Sequence, residues 1–429
     1  MNNVLNMAVP VFKGGLFLYS VVIIIITLSA VVVLMHRKVE IGHAMLAGSI
    51  LLTALTVSSP LLFFQSVVAT GRHPNTWEIL VALFFVMCLE FQLRTSGLLD
   101  GLMSAARSKQ ISDKVLLAGI PAFLGFLPSM GGALFSAPMV ENASRKYKMS
   151  PEQKTTVNYW FRHIWEFVNP ITPSLLLVGQ ITHIALPDLI GSMGWFVVAA
   201  VVIGWIVCLS GLREVKEGKN ENETAALSGE FVPLRKGMNS ILLTAGPILL
   251  NLFLVVALHL AASASMAIVV MLMILVLKQK FANVRKMFRH GMDKKLLWGV
   301  GSVLLFQQVL QDTGILGGVV DMLETYRISP MIVAAALAFS SGILTGTSSG
   351  FVALSMPIIV ALAPGDIATV TVGFVVGTAG QMLSPMHLCF LVTLKYFRAD
   401  FTGSIKPIAI MEMMMIGLLF LRYGVFSRI

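Results

Sequence analysis

Apolar runs of about 17 to 25 residues, the length that crosses a bilayer core, alternate along this 429-residue chain with short polar loops. They predict complete spans near Leu16 to Met35, Ala44 to Val68, Trp77 to Leu93, Thr156 to Leu186 and Met193 to Leu212. A second series follows at Ser240 to Leu260, Ala261 to Leu277, Leu296 to Leu310, Ile367 to Leu394 and Ile408 to Tyr423. Two further segments, Val115 to Asn142 and Met331 to Ala363, are apolar but interrupted at their centres by Pro, Gly and Ser. Each predicts a pair of half-helices joined by a tight turn. Leu98 to Arg107 and Ile315 to Tyr326 read as short amphipathic helices at the membrane surface.

Between the two series, Arg213 to Gly237 carries five acidic and five basic residues, a composition too charged to bury. It divides the chain into residues 1–212, a cytoplasmic linker at 213–237, and residues 238–429. The halves repeat. Ser96-Gly97-Leu98-Leu99 matches Thr313-Gly314-Ile315-Leu316 at an offset of 217, with Glu90 opposite Gln307. At 219, Ser129, Gly131, Ser136 and Pro138 fall opposite Ser348, Gly350, Ser355 and Pro357. At 215, Glu166 meets Gln381 and Asn169-Pro170 meets Ser384-Pro385. Three ordered matches within four residues of one offset predict an internal repeat.

Loop charge sets the orientation. With five complete crossings per half and each interrupted segment entering and leaving on one side, 25 of the 31 Lys and Arg collect on one face, which is therefore cytoplasmic. Both termini are then expected outside. An odd number of crossings turns the second half upside down, giving two inverted repeats, each of about five transmembrane helices plus one re-entrant hairpin.

Composition agrees with an all-α polytopic membrane protein: 56% of residues are hydrophobic and 12% charged, about half the charge of a soluble domain. The net charge of +10 follows from topology and points to no nucleic acid. Cys88, Cys208 and Cys389 lie far apart in apolar runs, with no CxxC pair and no His nearby at zinc-ligand spacing, so neither a disulfide scaffold nor a metal site is expected. Met1 to Val11 lacks the basic region of a signal peptide, so Leu16 to Met35 is expected to remain as a first span.

The chemistry concentrates at the interruptions. Backbone opened inside a membrane must line a cavity or be buried in protein, which makes Ser129, Gly131 and Gly132 in the first hairpin, and Thr347, Ser348, Ser349 and Gly350 in the second, candidate substrate contacts. One such segment alone reads equally as a structural kink; two, from opposite faces, favour a binding site. Pro170, Pro173 and Pro385 break the following spans, leaving Asn169, Thr172, Ser384 and His387 beside freed carbonyls. Arg162, His163 and Glu166 fall on one helical face by spacing, where they form either a structural ion pair or a coupling site for a proton. Glu90 reads as structural, and the 25 methionines as dispersed packing.

At Pro128 to Pro138, Phe161-Arg162-His163-Ile164-Trp165-Glu166 and Thr345 to Pro357, the sequence resembles the ion-transporter superfamily of citrate, gluconate, arsenite and divalent-anion transporters. Within it the chain looks most like an uncharacterised family of prokaryotic integral membrane proteins. The resemblance implies scaffold and transport domains, a homodimer and elevator-type movement. Sodium-dicarboxylate members carry Ser-Asn-Thr at each hairpin tip, whereas this chain has Pro128-Ser129-Met130 and Thr347-Ser348-Ser349. The coupling ion is therefore left open between H+ and Na+.

Together these features lead us to expect a non-enzymatic secondary active transporter in the cytoplasmic (inner) membrane, taking a small anionic organic solute and needing no cofactor. An intramembrane enzyme using His163 and Glu166, or a passive channel, are the alternatives.

Overall fold

The computed structural model describes residues 13–56, 60–96, 112–126, 132–214 and 246–424, and among them it is helical and contains no strand. In chain order the helices are α1 (Lys13–His36), α2 (Ile41–Thr56), α3 (Pro60–Arg72), α4 (Pro74–Thr95), α5 (Asp113–Gly125), α6 (Gly132–Ala143), α7 (Pro151–His163), α8 (Pro173–Thr182) and α9 (Leu186–Gly204). After the linker come α10 (Gly246–Val256), α11 (Ala262–Val276), α12 (Phe281–Gly291), α13 (Lys294–Asp312), α14 (Ile315–Thr325), α15 (Pro330–Thr345), α16 (Ser348–Leu362), α17 (Ile367–Met382), α18 (Leu388–Phe397) and α19 (Phe401–Tyr423).

Local chemistry fixes these boundaries. Ser150 and Gln153 form a reciprocal capping box ahead of Pro151 at the start of α7. The side chains of Asp293, Thr347, Asp366 and Asp400 accept backbone N–H groups at the starts of α13, α16, α17 and α19. Gly314 and Gly346, at φ +65° and +62°, make the left-handed turns that separate α13 from α14 and end α15. At the first of these turns the axis bends by 67°.

Among the described residues, four helical stretches are long and apolar enough to cross a membrane: Tyr19–His36, Pro74–Thr95, Leu186–Leu209 and Phe401–Tyr423. Large apolar side chains exposed along them and their neighbours, among them Ile25, Phe64, Val198, Leu275 and Leu421, form the surface that lipid would cover. Within the expected single span Ala44 to Val68, the described residues form two helices, α2 ending at Thr56 and α3 starting at Pro60. Thr156 to Leu186 and Ile367 to Leu394 are likewise each two helices, broken at their prolines. The surface helix expected at Leu98 to Arg107 lies outside the described residues, as does most of the charged linker; its counterpart near Ile315 is α14.

Packing recurs in matched pairs. Helix α2 packs on α13 and α4 on α11; α3 packs on α13 and α12 on α4. Nearer the centre, α5 packs on α7 and α15 on α17, while α8 packs on α16 and α18 on α6. The largest buried side chains, including Tyr159, Phe161, Phe351, Phe374 and Phe390, fill this inner layer around the broken helices.

Candidate functional site

The two broken spans are built alike. In the first, α7 stops at His163, residues 164–172 run through tight turns, and Pro173 opens α8. In the second, α17 stops at Met382 and α18 begins after His387, with Pro385 between them. Within the first turn the Asn169 side chain accepts the Ile171 N–H at 3.3 Å and donates to the Phe126 carbonyl at 2.9 Å. Within the second, the Ser384 hydroxyl accepts the Met386 N–H at 3.1 Å and donates to the Ile343 carbonyl at 2.6 Å. Each side chain thus staples its broken helix to the end of the adjacent arm, α5 or α15. Both residues are buried.

That role makes a prediction. Asn169→Ala or Ser384→Ala strands a carbonyl at a helix end, and each is expected to lower stability by about 1–3 kcal/mol, the usual cost of a buried polar group left without its partner. A thermal melt of the purified protein reads the loss. A melting temperature unchanged in both variants would remove the staple.

Glu166 occupies the centre. It lies beyond the end of α7, in the turn, so it does not share a helical face with Arg162 and His163 as regular spacing suggested. Its carboxylate accepts hydrogen bonds from Gln381 Nε2 at 3.0 and 3.2 Å and from the Ser348 hydroxyl at 3.2 Å, both contributed by the second half. Glu166 and Gln381 are the residues that the sequence repeat set opposite each other, and they meet directly. The carboxylate also lies 3.9 Å from His163 Nε2.

His163 is buried and bridges onward. Its Nδ1 lies 2.7 Å from the Tyr159 carbonyl and its Nε2 lies 3.2 Å from Nε2 of His387. Tyr159 packs edge-on against both imidazoles, and its hydroxyl donates to the Met382 carbonyl at 3.1 Å. Arg162, also buried, sits where α7 crosses α5 with no room for a side chain at Gly125.

Of the remaining expected residues, Thr347 accepts the Gly350 N–H at 3.2 Å and so caps α16, while Ser348 begins that helix facing Glu166. Ser349 follows on α16, half-buried. Thr172 donates to the Asn169 carbonyl at 2.9 Å and belongs to the turn. Gly132 starts α6, whereas Ser129 and Gly131 lie outside the described residues. Glu90 forms an ion pair with Arg94 at 3.3 Å, and one of its carboxylate oxygens lies 2.9 Å from His290 Nε2.

The sequence reading missed Glu412. It is buried on α19 and shares a small cavity with Trp160, His163, Phe167, Thr378 and Met382. The signal was present, since a carboxylate inside an otherwise apolar span is costly and marks function or a specific partner.

Residues 18–426 match the model of a protein family whose description is a protein of unknown function, DUF401. No curated protein matches the chain.

Proposed function

The chain belongs to the DUF401 family, and from that starting point we propose that it is a secondary active transporter of a small anionic organic solute, coupled to H+ or Na+ and working by alternating access in the cytoplasmic membrane. The observation that carries the reading is the meeting of the Ser348 helix start, both broken spans and the Glu166 carboxylate at one buried point. Broken helices converging from two repeats are how transporters expose polar backbone to a solute inside the bilayer.

Helix lengths support re-entrant hairpins. The arms α5 and α6 have 13 and 12 residues, and α15 and α16 have 16 and 15. At about 1.5 Å per residue each arm reaches only about 18–24 Å, short of an apolar core about 30 Å thick. The matched packing, with α8 on α16 answering α18 on α6, supports two repeats related by a two-fold axis in the membrane plane. Repeats of this kind also support the kinship with ion-transporter folds that the motifs suggested.

A carboxylate held by neutral donors from the opposite half suits coupling. A proton or Na+ arriving at Glu166 changes the hydrogen bonds that tie α16 and α17 to the first half, so ion occupancy and hairpin position are linked. The hydroxyls and opened backbone of the Thr347–Gly350 turn, at the positive start of α16, favour an anion.

The test is a melting series on the detergent-solubilised protein against organic acids, sugar acids, amino acids and oxyanions, each in Na+ and K+ at two pH values. Binding to the folded state at about 100 times the dissociation constant adds about 2.7 kcal/mol. One chemical class is expected to stabilise the protein, and a chemically unchanged solute to accumulate in proteoliposomes against its gradient. Equilibration without uphill movement would make it a channel, and an altered product an enzyme. Ser348→Leu, which fills the turn, is expected to abolish uptake while the protein stays folded; undiminished uptake would move the site elsewhere.

A further inference from the structure

We infer that His163, His387 and Cys389 form a site for a transition-metal ion of the zinc class, built across the two halves of the protein. The three ligating atoms, two imidazole nitrogens and one thiol sulfur, lie within 4.8 Å of one another inside the protein. His163 ends α7 in the first half, while His387 and Cys389 begin α18 in the second.

The hydrogen bonding sets the imidazoles up as ligands. Nδ1 of His163 lies 2.7 Å from a carbonyl oxygen, that of Tyr159, which can only accept. That nitrogen therefore carries the proton, and Nε2 presents a lone pair. A backbone carbonyl orienting the far nitrogen is the usual support for a metal-binding imidazole. The lone pair points at Nε2 of His387, 3.2 Å away. A cation between the rings would take the lone pairs of both Nε2 atoms.

The spacing fits. Two nitrogens each about 2.0–2.1 Å from a tetrahedral ion stand about 3.3 Å apart, and the observed separation is 3.2 Å. Sulfur with two imidazoles suits Zn2+ and its neighbours rather than Mg2+ or Ca2+. The Glu166 carboxylate lies 3.9 Å from His163 Nε2. A Cys389 thiolate would offset part of a divalent charge. The inference rests on these side chains and their geometry, not on the transport reading.

Cobalt(II) is the probe, because a tetrahedral ion bound through sulfur shows intense visible bands and a near-ultraviolet thiolate charge-transfer band. The full-length protein, stripped with chelator in detergent, is expected to bind one Co2+ per chain with both signatures and to release it to Zn2+. Cys389→Ser should remove the near-ultraviolet band while Cys208→Ser keeps it. His163→Ala and His387→Ala should each weaken binding at least about tenfold, with melting of each metal-free variant confirming that it is folded. The inference is overturned if the folded wild-type protein shows no tetrahedral spectrum, if the charge-transfer band survives in Cys389→Ser, or if it disappears in Cys208→Ser.

Discussion

Replacing Gly380 by valine is expected to prevent the protein from accumulating in folded form. Where α15 crosses α17 the backbones touch: a Cβ at Gly380 would collide with the Phe339 carbonyl and come within 3.0 Å of its carbonyl carbon and Cα, while one at Gly342 would collide with the Gly377 carbonyl. Small residues that let helix backbones approach closely are a common device for association inside membranes. Here the obstacle cannot rotate away as a side chain could at Gly291, where Cys88 and Phe84 are the neighbours. Adding methylenes to a packed interior ordinarily costs about 1–3 kcal/mol. Separating two helices at the base of the Ser384 staple costs more, against a total stability of about 5–15 kcal/mol. Gly301 is the control, because a Cβ there meets open space and alanine should be neutral or favourable by up to about 1 kcal/mol. Fluorescence-detected size exclusion separates the outcomes. A monodisperse Gly380→Val protein with the wild-type melting temperature would mean that α15 and α17 do not cross in this way.

The same crossing shows what the sequence could reveal and what it could not. The interruptions were legible because proline, glycine and serine inside apolar runs have few other uses, and the breaks at Pro170, Pro173 and Pro385 lie where the pattern put them. The separate start of α3 at Pro60 was not read from the pattern, since one proline is too little to interrupt a hydropathy run. Glu166 and Gln381 were paired as repeat equivalents, yet nothing in an offset says that two equivalent residues touch; that depends on how the halves face each other. His387 was read as a solute contact, and only packing brings its ring against His163. Regular spacing also misplaced Glu166, because a period of 3.6 holds only while the helix continues, and α7 ends three residues earlier.

In the proposed transporter, Glu166→Gln is expected to uncouple ion from solute. Glutamine has nearly the volume of glutamate, so the turn keeps its shape and its contacts with Gln381 and Ser348 in altered polarity, and the protein should fold. What disappears is a carboxylate at the junction of both halves that can exchange a proton or hold a cation between them. An ionisable side chain at the centre of a membrane costs at least about 2.5 kcal/mol, and three neutral or weakly basic neighbours, Ser348, Gln381 and His163, share that load. Coupling energies between linked sites are typically about 1–3 kcal/mol, or about 5- to 150-fold in affinity. The wild-type protein should therefore bind its solute more tightly in the presence of the coupling ion by a factor in that range. In the variant the factor should fall to one, while the solute still binds and still exchanges across the membrane. Reciprocity sharpens the measurement, because solute must then also cease to alter ion affinity. A variant that keeps the ion dependence would move coupling away from the turn. The buried Glu412, in the cavity it shares with His163, would be the carboxylate left to carry it.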